Sequence, residues 1–158
     1  MLHAKVNIFF LPFLLFYAVS AGCNPERQMT KTFLYKDGIQ LSATANTDSV
    51  VAYVQTLLDN VDDAYDLLVT EELIHSLKEK ETCLEIIFPE TINVTIGASH
   101  IIKLDRILIP ISGNFSGRHI TVFWGIKKYS SGPYVKKGSS DELKRIIDSV
   151  EWNRSPTP

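Results

Sequence analysis

The sequence predicts an α+β fold: an antiparallel β-sheet, made of an N-terminal hairpin and a C-terminal meander, packed on one face by two or three α-helices. Three observations predict it. Two β-prone runs near residue 40 meet at Asp37-Gly38; apolar residues between 50 and 77 recur at helical spacing; and from Cys83 onward the apolar period shortens to two.

Thr32 to Lys36 and Ile39 to Thr44 are the two runs of the hairpin. Asp-Gly suits the tight turn between them because both central residues need a positive φ. Ile39, Leu41 and Ala43 share one face of the second strand, and Phe33 and Tyr35 are expected to cover the matching face of the first. Asn46-Thr47-Asp48-Ser49 then offers N-cap groups ahead of Val50, Val51, Val54, Leu57, Leu58 and Val61, an amphipathic helical stripe. Asp59, Asp62, Asp63 and Asp66 cluster at its end. They lack the Asp-x-Asp-x-Asp-Gly pattern of a calcium loop, so a solvated acidic turn is expected. Acids at a helix C-terminus oppose the macrodipole, which implies either fraying or continuation of the helix through Tyr65 and Leu68.

Thr70 can cap a second helix with Glu71 and Glu72 in its first turn, Lys78 and Lys80 in its last, and Leu73, Ile74 and Leu77 on its buried side. Leu84, Ile86 and Phe88 alternate with Glu85 and Ile87, after which Pro89-Glu90-Thr91 is expected to turn the chain. Ile92 to Ile96 is a short run. Ile101 to Ile111 is long and β-branched, with Pro110 marking a strand end, bulge or edge. Residues 112–117 (SGNFSG) are loop chemistry, and Arg118 to Lys128 is the partner strand. Tyr129 to Ser140, with Ser130-Ser131-Gly132-Pro133, reads as a loop. A last helix, Asp141 to Val150, buries Leu143, Ile146, Ile147 and Val150, and Trp152 anchors its end.

The first 23 residues have a different character. Lys5 supplies a positive start, Ile8 to Val19 is an apolar run of 12 residues broken only by Pro12, and small residues lead into Cys23. That is the pattern of a secretory signal peptide. Twelve helical residues reach only ~18 Å, short of a ~30 Å hydrocarbon core. The ending Ser20-Ala21-Gly22-Cys23 resembles the lipobox of bacterial lipoprotein precursors, with Ser20 where that family usually has Leu. The resemblance implies a diacylglyceryl group on the Cys23 sulfur, cleavage before Cys23 and acylation of the new amino terminus. It implies a membrane-anchored protein of the cell envelope, facing periplasm or exterior.

The expected organisation is a signal peptide over 1–22, a tether over 23–30 after lipidated Cys23, a single α+β domain over 31–152 and a disordered tail over 153–158. Without the leader, 136 of the 158 residues remain, enough for one domain with one core. They carry 15 bases against 18 acids, a balance that does not call for a specific nucleic-acid partner. The charge is unevenly spread. Asp48 to Glu90 holds 11 acids against Lys78 and Lys80, whereas Lys103 to Arg145 holds nine bases against three acids. Either the two halves complement each other within the fold, or the second half presents a surface to anions.

Lys127, Lys128, Lys136 and Lys137 flank Tyr129 and Tyr134. Bases interleaved with aromatics form a candidate surface for an anionic envelope component, a protein partner or an anionic membrane, with a solvated loop as the alternative. No cofactor or metal is expected. Glu72 and His75 make one Glu-x-x-His pair where a carboxylate-bridged di-iron site needs two, and His100 and His119 alone do not define a zinc site. Gly-x-Ser-x-Gly, a phosphate-binding glycine loop and Cys-x-x-Cys are all absent from the chain.

The favoured function is therefore a lipid-anchored envelope protein whose domain binds or scaffolds without chemistry of its own. One alternative is a soluble secreted inhibitor or interaction domain: cleavage after Ala21 would leave both cysteines for a Cys23–Cys83 disulfide. Asn93, Asn114 and Asn153 each begin an N-glycosylation acceptor triplet, which keeps a secreted eukaryotic origin open. The third reading, a small hydrolase, requires Glu72, His75, His100, His119 or Cys83 to converge in one pocket.

Overall fold

The computed structural model describes residues 29–97 and 100–154. The expected signal peptide, Cys23 and most of the tether lie outside the described residues.

Eleven elements follow in chain order: β1 (Lys31–Lys36), β2 (Ile39–Ala45), α1 (Thr47–Asp59), β3 (Asp63–Ala64), α2 (Glu71–Lys80), β4 (Cys83–Ile96), β5 (His100–Pro110), β6 (His119–Ile126), β7 (Lys128–Lys137), α3 (Asp141–Asp148) and β8 (Glu151–Arg154). The eight strands form one sheet in the order β3-β7-β6-β5-β4-β1-β2-β8, paired antiparallel throughout. The chain is thus α+β with strands dominant.

The local chemistry accounts for most of these elements. Asp37 and Gly38 have φ of 53° and 74°, the left-handed conformations a tight hairpin turn needs. The Thr70 hydroxyl accepts a hydrogen bond from the Leu73 N–H at 3.2 Å, so α2 starts where its cap places it. α1 stops at Asp59, and Asp63 and Ala64 pair with Val135 and Tyr134 instead of continuing the helix. Of the two expected outcomes, fraying or continuation through Tyr65 and Leu68, continuation does not occur.

Three expectations about the strands are corrected. Pro89-Glu90-Thr91 does not turn the chain: the register passes from Ile87↔Arg106 to Ile92↔Leu104, so β4 runs through its proline as a wide bulge. The segment read as a loop after Tyr129 is β7, which pairs along β6 from His119↔Lys137 to Ile126↔Lys128 with two irregularities. Asn153 and Arg154, expected in the tail, belong to β8 and pair with Ser42 and Leu41 of β2.

The helices also divide between two faces of the sheet, rather than sharing one. Alternation along β4 sends Leu84 and Ile86 to one side and Cys83 and Glu85 to the other. The first side packs Ile107, Ile109 and Val122 against Val50, Val54 and Leu58 of α1 and Leu143 and Ile147 of α3. The second packs Cys83, Leu108 and Phe123 against Ile74 and Leu77 of α2. Leu34 pairs with Leu41 and faces α1 and α3, so Phe33 and Tyr35 point away from Leu41 and Ala43 and toward the α2 side. A sheet with two apolar faces needs cover on both, and the short connection from Lys80 to Cys83 folds α2 back onto the second face.

Candidate functional site

The α2 face holds a charged residue in its interior. Glu85 is 2% exposed. A buried carboxylate is costly unless its oxygens are all used, and here they are. The Lys78 ammonium donates to Oε1 at 2.6 Å, the Tyr129 hydroxyl donates to Oε1 at 2.7 Å, and the Tyr35 hydroxyl donates to Oε2 at 2.7 Å. The Lys78 Nζ also lies 4.6 Å from the Tyr35 ring centroid and 5.7 Å from that of Tyr129, so its charge is shared between carboxylate and π-faces. Burial first, and the Glu85 carboxylate after it, push both phenols well above the ordinary tyrosine range. Each stays a neutral donor.

Four elements build this cluster. Tyr35 comes from β1, Lys78 from the last turns of α2, Glu85 from β4 and Tyr129 from β7. Phe33 pairs with Glu85 and Tyr35 with Cys83, which sets the β1 side chains on the same face. Tyr129 arrives through an abrupt turn. Ile126 pairs with Lys128 around the single residue Lys127, which takes φ 62°. Its N–H donates to both carboxylate oxygens of Asp105, at 3.0 and 2.9 Å. A Cβ on Gly125 would fall on the Lys128 carbonyl oxygen, so the turn closes this tightly only over glycine.

A cleft of about 270 Å³ opens beside the cluster, walled by Glu71, Ile74, His75 and Lys78 of α2 and by Arg106, Lys127, Lys128 and Tyr129 from the sheet. The Arg106 Nε donates to Asp105 at 2.8 Å. Lys127 and Lys128 are exposed and carry no ion pair among the described residues. The cleft therefore has a saturated acidic floor and a basic rim.

The six residues of the expected Lys–Tyr surface are not brought together. Lys127, Lys128 and Tyr129 meet at this cleft. Tyr134 lies on the other face, stacked on Trp124 with ring centroids 5.8 Å apart. Lys136 pairs with Asp62 at 3.5 Å, and the Lys137 N–H donates to the same carboxylate at 2.6 Å. That bond, chiefly, holds the Asp62 carboxyl below the usual range. Part of the charge asymmetry along the chain is thus consumed within the fold, where β3 meets β7.

Sequence reasoning missed Glu85, Lys78 and Tyr35 as a unit. One signal was present: Glu85 is the lone charge in the run Cys83 to Phe88, and both faces of that strand are otherwise apolar.

The other candidates are dispersed. Cys83 is fully buried, its thiol 3.5 Å from the Leu77 carbonyl oxygen, and burial with the nearby Glu81 pushes it up to about 12. Cys23 lies outside the described residues. His75 is exposed and pairs with Glu79 at 3.1 Å, not with Glu72. His100 and His119 open two strands that belong to one antiparallel ladder, so they sit toward opposite ends of the sheet. Among the described residues no three His, Cys, Asp or Glu side chains are grouped to hold a metal, and no helix is long and apolar enough to cross a membrane. Asn93, Asn114 and Asn153 are all exposed. Comparison with protein-family models matched none, and comparison with curated proteins and with solved structures returned no significant match.

Proposed function

We propose that the chain is a lipid-anchored protein of the cell envelope whose domain binds an anionic envelope component without chemistry of its own. One observation carries the reading of the domain: the reactive groups buried beside the cleft are spent on structure. Glu85 has its oxygens filled by three internal donors, the phenols beside it hold their protons, and the Cys83 thiol is pushed up to about 12. A general base or nucleophile needs the opposite tuning, a group poised near the working pH and open to substrate. At the cleft rim Lys127 and Lys128 stand without ion pairs among the described residues, against the single unengaged acid Glu71.

The anchor rests on the leader and on Ser20-Ala21-Gly22-Cys23. One acyl chain binds marginally, whereas two or three make release slow. Intact mass spectrometry of the mature protein is expected to find an acylated Cys23 as first residue, and Cys23→Ser to leave the membrane fraction or stay unprocessed. An unmodified amino terminus at Gly22 would remove the anchor. The disulfide-bonded secreted alternative is weakened by the burial of Cys83 beneath Leu77, because a bridge there would have to displace α2.

A further inference from the structure

The partner left open above has a chemical identity that the sheet register points to. Lys31 pairs with Ile87, Ile87 with Arg106, Arg106 with Gly125 and Gly125 with Tyr129, one row across five strands. Paired residues share a face, so the first residue of β1 lies on the same side of the sheet as the cleft. A second cleft, of about 490 Å³, continues the row: Met29, Lys31, Phe33 and Ile87 wall it, and Arg106 belongs to both. The two form one band from the point where the chain enters the domain to the turn at Lys127.

α2 covers only part of this face. The uncovered part mixes cations with exposed apolar side chains: Met29 is 80% exposed, and Phe33 and Ile87 are half-buried. Lys31, Lys127 and Lys128 have no ion pair among the described residues. Asp105 answers Arg106 and caps the Lys127 turn, and Glu71 is the one acid on the cleft wall without an ion pair among the described residues. Cations set among apolar side chains suit an interface of phosphate headgroups over hydrocarbon.

Chain length supplies the second argument. Eight residue-to-residue steps separate Cys23 from Lys31 and span at most ~28 Å fully extended. An acylated Cys23 lies at the bilayer surface, so the start of β1 stays within that reach, and the band beside it is the part of this face held nearest the lipid.

We infer that the anionic component is the bilayer itself: the band from Met29 to Lys128 docks on anionic phospholipid headgroups beside the anchor, with Arg106, Lys127 and Lys128 taking phosphate oxygens. This rests on the anchored reading. Each base held at an anionic surface contributes roughly fivefold in partitioning, so three or four acting together keep a tethered domain down at moderate salt.

The test uses the acylated protein reconstituted into phosphatidylcholine vesicles with and without phosphatidylglycerol, probed by amine labelling mapped by mass spectrometry. Lys36, at the far end of β1, and Lys144, on α3, are the controls. Lys31, Lys127 and Lys128 are expected to label severalfold more slowly than the controls on phosphatidylglycerol vesicles, and this protection should vanish at high salt and on pure phosphatidylcholine. Lys128→Glu, which leaves the turn residue Lys127 in place, is expected to reduce protection at Lys31 as well. Equal labelling on both vesicles, with the protein still floating with lipid, overturns the docking and leaves the cleft to a protein partner. Protection that ignores salt and headgroup also overturns it. A protein that does not float at all overturns the anchor instead, so the two failures are told apart.

Discussion

Glu85 shows what one side chain can impose on a fold. Removing it leaves the buried Tyr129 hydroxyl, the half-buried Tyr35 hydroxyl and the half-buried Lys78 ammonium without an acceptor, and removing one member of a buried pair costs about 3–5 kcal/mol. Glu85→Ala is expected to fall in that range in urea unfolding. Lys78→Met is expected to cost about as much, because it strands the buried Glu85 carboxylate without a counter-charge, with only the Tyr35 and Tyr129 hydroxyls still donating to it. A loss for Lys78→Met well below that for Glu85→Ala would mean that the two hydroxyls alone hold the carboxylate.

Titration follows from the same residues. Asp62, held low by the Lys137 N–H, and Asp141, held low by the Ser139 hydroxyl, keep carboxyls below their usual range. Such groups add stability above their unfolded value, and it is lost as pH falls through the folded one, so the acid limb lies below about pH 4. Cys83 has the other sign. Its stabilisation is complete below the ordinary 9.0 and is lost as pH rises toward about 12, with Tyr35 and Tyr129 acting in the same direction. The urea midpoint is expected to be flat between these limits and to fall on both sides. Alkylation mapped at Cys83 should be negligible in native protein at neutral pH and complete in urea. Rapid native labelling would contradict its burial.

At the level of elements, the sequence carried the parts whose signals are local. The Asp37-Gly38 turn, the α1 stripe, the Thr70 cap and the run of β5 into Pro110 all form where their chemistry places them. β7 was hidden because Ser130-Ser131-Gly132-Pro133 has the composition of a loop. The strand survives it through two bulges, which no local rule announces. Pro89 likewise falls in the one stretch of β4 where the ladder to β5 is interrupted, so it removes no pair. The face chosen by α2, and with it the burial of Glu85, depended on sheet partners up to 50 residues away.

The turn at Lys127 offers a paired test of backbone strain. Gly125→Ala drives a methyl into the Lys128 carbonyl and is expected to cost about 1–3 kcal/mol. Lys127→Gly relieves a positive φ and should be neutral or stabilising by up to about 1 kcal/mol. Opposite signs two residues apart in denaturant midpoints would establish that the turn is held from outside, by Asp105. Equal losses would sink that account.

For the whole molecule, the sheet ends in two very short strands, β3 with two residues and β8 with four. Short edges limit pairing with other chains. Deleting residues 151–158 would bare the outer edge of β2 and remove the Trp152 indole bond to the Ile147 carbonyl, 3.0 Å in the intact domain. Light scattering is expected to show concentration-dependent association of the truncated chain at neutral pH, with helix content by circular dichroism nearly unchanged. A truncated chain that stays monomeric would show that β2 needs no such cover.

The sheet order also has a meaning in time. β1 and β2 are made first, yet β1 waits for β4, and β2 receives its outer neighbour only from β8, whose Asn153 meets Ser42. Pairing between such distant segments is slow, and that of β2 with β8 cannot begin until the last strand is free. A chain threaded amino-terminus first through a narrow passage would leave its opening hairpin half-paired for the whole transit. It would close only on release, so the same topology that stabilises the finished domain would keep the nascent one pliable enough to be moved.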